Sequence, residues 1–206
     1  MTTPSSRTPR TTPSPAAEPA RVTVLAGPTA VGKGTVVNRL LEKQPNLHLS
    51  VSATTRPPRP GEKDGEHYHF VSEDEFTSLV DAGDMLEWAI VHGKHRYGTP
   101  RGPVVEQLQA GRPVLLEIDL AGARQVRASM PEAQFVFLAP PSREELVRRL
   151  IGRGTETAEE RERRLLTAET EMAAEKEFDL TIVNDDLDRA VEELARVIGV
   201  GDVTAA

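Results

Sequence analysis

The chain has no cysteine, which rules out disulfides and thiolate metal sites and suits a reducing compartment. Aromatic residues are scarce too, with one Trp, two Tyr and five Phe in 206 residues. An aromatic side chain in a polar stretch therefore calls for a reason other than core packing. No apolar run approaches the roughly 18 residues of a membrane span, and no signal-peptide apolar segment stands at the start. Basic charge is short: 25 Lys and Arg against 32 Asp and Glu give a net charge of −7, which argues against a bulk nucleic-acid binder. The charge is also uneven, +2 over residues 1–21 and −9 over the rest. Inside that acidic remainder arginines gather at Arg56/Arg59 and at Arg148, Arg149, Arg153, Arg161, Arg163 and Arg164. Such local clusters suit small anionic ligands.

What is present is an alternation of short apolar runs and helical patterns, the mark of an α/β fold with a parallel sheet covered by helices. Strands are expected at 22–26, 48–52, 114–118, 134–138 and 180–183. Val114–Ile118 and Phe135–Leu138 are apolar on both faces, as buried parallel strands are. Capping boxes signal helices at Ser72/Glu75, Ser142/Glu145 and Thr157/Glu160. A stripe of Leu187, Ala190, Val191, Leu194, Val197 and Ile198, closed by Gly199, marks the last helix, and Asn184-Asp185-Asp186 reads as its capping segment. Residues 53–70 break the pattern with Pro, Gly and charge, and 85–98 reads as a strand and hairpin. The expected organisation is a tail over 1–20 rich in Pro, Thr and Ser, a domain over 21–200, and a second tail over 201–206. Within the domain, 21–51, 100–151 and 166–200 form the core, 52–99 an inserted mixed α/β lobe, and 152–165 a helical lid.

Residues 27–35 read Gly-Pro-Thr-Ala-Val-Gly-Lys-Gly-Thr, between the run Val22–Ala26 and an amphipathic helix carrying Val36, Val37, Leu40 and Leu41. That is the spacing and setting of a phosphate-cradling loop. Glycines let backbone N–H groups turn toward an anion, the helix dipole adds attraction, and Lys33 supplies a point charge. The Ser or Thr usual after the lysine is replaced by Gly34, and the hydroxyl comes one residue later on Thr35. Thr35 is the candidate metal contact, with magnesium held mostly by phosphates and water.

The segment from Ser52 to Glu62 sets Arg56 and Arg59 three residues apart among prolines, where guanidinium forks match phosphate oxygens. Tyr68 and Tyr97, the only tyrosines, lie in the same lobe. Glu87 stands in the strand-like Leu86-Glu87-Trp88-Ala89. Its carboxylate suits the paired N1–H and N2–H₂ donors of guanine and repels the N1 acceptor of adenine. His48, His67, His69, His92 and His95 lack metal-ligand spacing.

Together the runs Gly-Pro-x-x-x-Gly-Lys, Ser-x-Thr-Thr-Arg-x-x-Arg-x-Gly-Glu, Asp-Gly-x-x-Tyr-x-Phe (64–70), Glu-Trp-Ala (87–89), Tyr-Gly-Thr (97–99) and Arg-Gly-Thr-Glu (153–156) resemble the guanylate kinase family, over about residues 22–199. The resemblance implies a P-loop kinase fold. It implies transfer of the γ-phosphoryl group of ATP to GMP, and to dGMP, giving ADP and GDP in purine nucleotide metabolism and GMP recycling. It places ATP on Gly27, Pro28, Thr29, Ala30, Val31, Gly32, Lys33, Gly34 and Thr35, with Asn184 at the adenine edge. It assigns the GMP phosphate to Ser52, Arg56, Arg59, Tyr68 and Tyr97, and the guanine side to Glu87, Thr99 and Asp119. Lys33 with Arg149, Arg153 and Arg164 of the lid region then bridges donor and acceptor phosphates, with magnesium accompanying ATP. Relatives often carry Ser-Gly where this chain has Thr29-Ala30. The expected partners are ATP and GMP alone, with no polymer or membrane, in the cytoplasm. A non-catalytic peptide-binding scaffold and a kinase for a phosphorylated sugar on the same core are the competing readings. The phosphate loop and lid arginines, both intact in this chain, weigh against the scaffold, and Glu87 against the sugar kinase.

Overall fold

The computed structural model describes residues 19–91, 93–151 and 158–200, with no side chain described at 151 or over 158–161. His92, Arg153, Thr157 of the Thr157/Glu160 box and nearly all of both expected tails lie outside the described residues.

Nine strands and seven helices alternate among these residues: β1 (Val22–Ala26), α1 (Lys33–Lys43), β2 (His48–Leu49), β3 (Ala53–Thr54), β4 (His69–Phe70), α2 (Glu73–Asp81), β5 (Met85–Val91), β6 (His95–Pro100), α3 (Arg101–Gln109), β7 (Val114–Glu117), α4 (Leu120–Ser129), β8 (Gln134–Ala139), α5 (Arg143–Ile151), α6 (Ala158–Ala173), β9 (Leu180–Val183) and α7 (Leu187–Ile198). The main sheet runs β2-β7-β1-β8-β9, and each of its ladders is parallel. This confirms the α/β fold class with helices over a parallel sheet.

The two-faced apolar strands explain the layering. Leu25, Leu115, Val136 and Leu138 pack with Val36, Leu40, Val191 and Leu194 under α1 and α7. Their neighbours Val24, Leu116 and Phe135 pack with Val104, Ala123 and Val126 under α3 and α4. Alternate residues of one strand thus feed two cores, each buried side chain contributing about 1.5–3 kcal/mol. The stripe on α7 is buried at Ala190, Val191, Leu194, Ala195 and Ile198. Asp186 caps this helix by accepting from the Arg189 N–H, and Gly199 ends it at φ 80°. The full capping box forms at Ser72/Glu75 on α2, while at α5 Ser142 Oγ accepts from the Glu145 N–H at 3.2 Å.

One expected strand is cut short. In place of 48–52, β2 holds only His48–Leu49. Ser50 N still donates to Leu115 O, but the Ser52 carbonyl accepts from His69 N, and β3 joins a second sheet ordered β4-β3-β6-β5. Competition between two sheets for one segment is invisible to periodicity. The second sheet encloses its own small core of Ala53, Phe76 and Met85 backed by Trp88, with Phe76 edge-on to Trp88. The expected hairpin over 85–98 is the antiparallel β5–β6 pair. It is tied to α4 by Gln125, whose side chain accepts from Trp88 N and donates to Trp88 O.

Candidate active site

The loop of residues 27–32 leaves the C-terminal end of β1, where open parallel sheets bind ligands. Gly27 has φ 157°, and a Cβ there would stand 2.3 Å from Leu138 O, so only glycine lets the loop lie against β8. Gly32, the N-cap of α1, has φ 102° and contributes no side-chain cap, and the first turn of α1 carries no acid. The first-turn N–H groups have no intrahelical acceptor, which makes this helix start an anion site. Ala30 sits at φ 67°, strained for a residue with a Cβ.

Lys33 folds back along the loop and donates to the Gly27 carbonyl at 2.6 Å. Burial pulls its ammonium below the ordinary lysine value, and the nearby carboxylates Glu171, Glu117 and Asp119 oppose that shift. Glu117 ends β7, and burial raises its carboxyl above the usual range while Lys33 pulls it down. Thr35 is exposed on the first turn of α1. The Val31 carbonyl accepts two side-chain donors, Asn184 Nδ2 at 2.8 Å and Arg149 Nη1 at 3.0 Å. Arg149 is itself held by Glu145 through Nε at 2.8 Å. Asn184 is buried and braces the loop from beneath. Thr29 N donates to Glu171 Oε2 of α6 at 2.9 Å. Arg164 lies exposed on α6 seven residues before Glu171, and so on the same helical face.

In the second sheet, Arg56, Tyr68 and Tyr97 converge. Arg56 Nε donates to Tyr97 Oη at 3.0 Å, its guanidinium lies 5.5 Å from the Tyr68 ring centre, and the two tyrosine rings meet edge to face at 5.7 Å. Glu62 pairs with both terminal nitrogens of Arg56 and accepts from the Arg59 N–H at 2.7 Å. The Arg59 side chain is exposed, and Ser52 is half-buried at the crossing between sheets.

Glu87 is 9% exposed, and Thr99 Oγ1 donates to its Oε1 at 2.7 Å. Burial raises its carboxyl above the usual range, the Thr99 hydrogen bond opposes this, and Asp119 adds to the rise. Gly122 leaves room beside it, since a Cβ there would lie 3.2 Å from Glu87 Oε2 and 3.4 Å from Asp119 Oδ1. Asp119 caps α4 by accepting from the Gly122 N–H at 2.7 Å. Asp119 thus acts electrostatically on both Lys33 and Glu87. The phosphate loop and the carboxylate pocket meet at the C-terminal end of β7. Glu62, Glu117 and Glu171 belong to this constellation, although sequence reasoning had not chosen them. Of the three only Glu62 carried a signal, closing the Arg-x-x-Arg-x-Gly-Glu run.

The guanylate kinase family model matches residues 19–200. Guanylate kinase from Thermobifida fusca is 61% identical over 181 residues, covering 88% of this chain and 92% of that protein. Guanylate kinase from Streptomyces coelicolor is 58% identical over 194 residues, covering 94% and 98%. The crystal structure of guanylate kinase from Anaplasma phagocytophilum superposes with a TM-score of 0.64 at 34% identity, covering 87% of this chain and 84% of that one. A family match over residues 19–200, with 61% identity to a relative over most of both chains, places this protein in the guanylate kinase family.

Proposed function

We propose that the chain transfers the γ-phosphoryl group of ATP to GMP, and to dGMP, giving ADP and GDP. The observation that carries this reading is that Glu117, which ends β7, lies beside Gly34 of the phosphate loop, its Oε1 3.8 Å from where a Cβ would stand, while Asp119 and Glu87 meet beside Gly122 at 3.4 and 3.2 Å from its Cβ position, so a donor pocket and an acceptor pocket share one strand end. ATP lies along the Gly27–Thr35 loop, with Asn184 near its adenine. Ser52, Arg56, Arg59, Tyr68 and Tyr97 take the GMP phosphate, while Glu87, Thr99 and Asp119 face guanine.

A GMP phosphate oxygen attacks the γ-phosphorus, and the bond from that phosphorus to the β-γ bridging oxygen breaks, its electron pair staying with ADP. The GMP phosphate has a second pKa of about 6 and is mostly dianionic at neutral pH, so no side chain needs to act as base. What the residues must do is cancel repulsion between two anions and hold them in line. Lys33 and Arg149 already lie at the loop, and Arg153 and Arg164 are the further arginines proposed to meet the phosphates. Closure excludes water, which would otherwise accept the phosphoryl group.

Magnesium fits the donors present. Thr35 offers a hydroxyl, and Glu117 Oε1 lies 3.8 Å from where a Cβ on Gly34 would stand, so hard oxygen ligands flank the helix start. When bound with ATP, the ion neutralises phosphate charge. The proposed compartment is the cytoplasm. No helix among the described residues is long and apolar enough to cross a membrane.

Coupled ADP release with GMP, dGMP, dAMP, CMP, UMP and a phosphorylated sugar tests the reading. Guanine nucleotides should be strongly preferred. Equal turnover of all nucleotides, or none on GMP, overturns it.

A further inference from the structure

Arg56 and Glu62 do more than form one ion pair. The Arg56 guanidinium carries five N–H donors. Nε donates to Tyr97 Oη, Nη1 to the Pro57 carbonyl at 2.7 Å and to Glu62 Oε2 at 3.0 Å, and Nη2 to Glu62 Oε1 at 2.9 Å. Four donors are engaged inside the protein, which leaves one on Nη2. A two-pronged grip on phosphate by Arg56 is therefore not what this arrangement offers. Side-chain exposures of 10% for Arg56 and 16% for Glu62 show that the pair is set into the lobe wall, stacked on Tyr68 and Phe70.

Glu62 also reaches the backbone. Its Oε2 accepts from the Arg59 N–H at 2.7 Å, and the Glu62 N–H donates back to the Arg59 carbonyl at 3.0 Å. The carboxylate thus closes the turn that carries Arg59, whose side chain is exposed. Arg56 in turn hands a hydrogen bond to Tyr97, so the phenol oxygen is occupied as acceptor and its own proton is free to donate to an anion.

We propose that Glu62 is the positioning residue of the acceptor-phosphate pocket, fixing Arg56 as an orienting group for Tyr97 and presenting Arg59 as the principal guanidinium for the phosphate of the nucleoside monophosphate. The proposal rests on the reading of GMP as acceptor and assigns the division of labour within its phosphate site. Glu62 does not touch substrate. It acts through Arg56 and Arg59.

The test compares Glu62→Gln and Glu62→Asp with the unaltered chain in steady-state kinetics and by calorimetric binding of GMP, guanosine and ATP. Glu62→Gln keeps one acceptor and loses the charge; Glu62→Asp keeps the charge but is too short to serve all three donors. Both should raise the KM for GMP about ten-fold or more, the scale of losing hydrogen bonds to a charged group. The kcat at saturating GMP should change far less. Guanosine and ATP affinities should stay as they were, since neither needs the acceptor-phosphate pocket, and those two measurements also report that each variant is folded. Arg59→Lys should cost more in GMP affinity than Arg56→Lys.

An unchanged KM for GMP overturns the proposal. So does tighter GMP binding in Glu62→Gln, because that result makes Glu62 a competitor of phosphate for Arg56. A larger loss from Arg56→Lys than from Arg59→Lys overturns the division of labour. Failure of the parent reading shows separately, as absence of GMP turnover in the unaltered chain.

Discussion

The carboxylate of Glu171 accepts a hydrogen bond from the backbone N–H of Thr29 at 2.9 Å across 142 residues of chain. An acid from α6 therefore occupies an amide of the phosphate loop, and it supports the charge of the Lys33 ammonium. A triphosphate arriving at the loop meets this negative group and must displace it or share the donor. Glu171→Gln is expected to tighten ATP binding roughly ten-fold, the scale of one charge-assisted hydrogen bond. Calorimetric titration checks it, and weaker binding in the variant would show that Glu171 props the loop open for nucleotide instead.

Glu87 gives a prediction with a sign. Its folded pKa is raised, chiefly by burial, so its contribution to stability is present below the unfolded carboxyl value and is lost as pH rises through the folded value. At neutral pH the ionised side chain weakens the fold. Glu87→Gln should raise the melting temperature at pH 7, and the gain should shrink in acid. The same variant should raise the KM for GMP by roughly 5- to 100-fold, since one bidentate base contact discriminates by about 1–3 kcal/mol. For the unaltered protein, guanosine affinity should fall as acid protonates Glu87, beginning at a higher pH than an ordinary carboxylate would give. Guanosine is the right probe because the phosphate of GMP titrates in the same region.

Ala30 at φ 67° carries a left-handed backbone penalty of about 1–2 kcal/mol, partly offset by the larger unfolded-state entropy of glycine. Ala30→Gly should stabilise the protein by about 1 kcal/mol, measured by chemical denaturation. A loss of stability would mean that the loop relaxes around alanine without strain.

Much of this was legible in the sequence because the carriers are local. The phosphate loop lies within nine consecutive residues, Arg56 and Arg59 within four, and the stripe on α7 repeats at helical spacing. Strand β1 and strand β9 are where the apolar runs put them. What the sequence hid are relationships across the fold. Glu171 lies in a helix whose charges read as an ordinary solvated face, and nothing in its neighbours points to Thr29. Likewise β2 stops early because Ser52 pairs with His69 in the other sheet, a choice made by tertiary competition and not by propensity.

The Val31 carbonyl offers a test of redundancy. Asn184 and Arg149 both donate to it, so either alone can hold the loop. Asn184→Ala should weaken ATP binding by about 1 kcal/mol or less, near the net worth of one hydrogen bond. In an Arg149→Met background the same change should cost more, with a coupling of about 0.5–3 kcal/mol in a double-mutant cycle on ATP affinity. Strict additivity would argue that the two side chains act on separate features of the loop.

Asp119, the cap of α4, lies within electrostatic reach of both Lys33 and Glu87. One carboxylate thus contributes to the electrostatics of both pockets, and a change made to it should be felt by the two nucleotides together. Should one nucleotide alter the affinity of the other, linkage requires that influence to be equal in both directions.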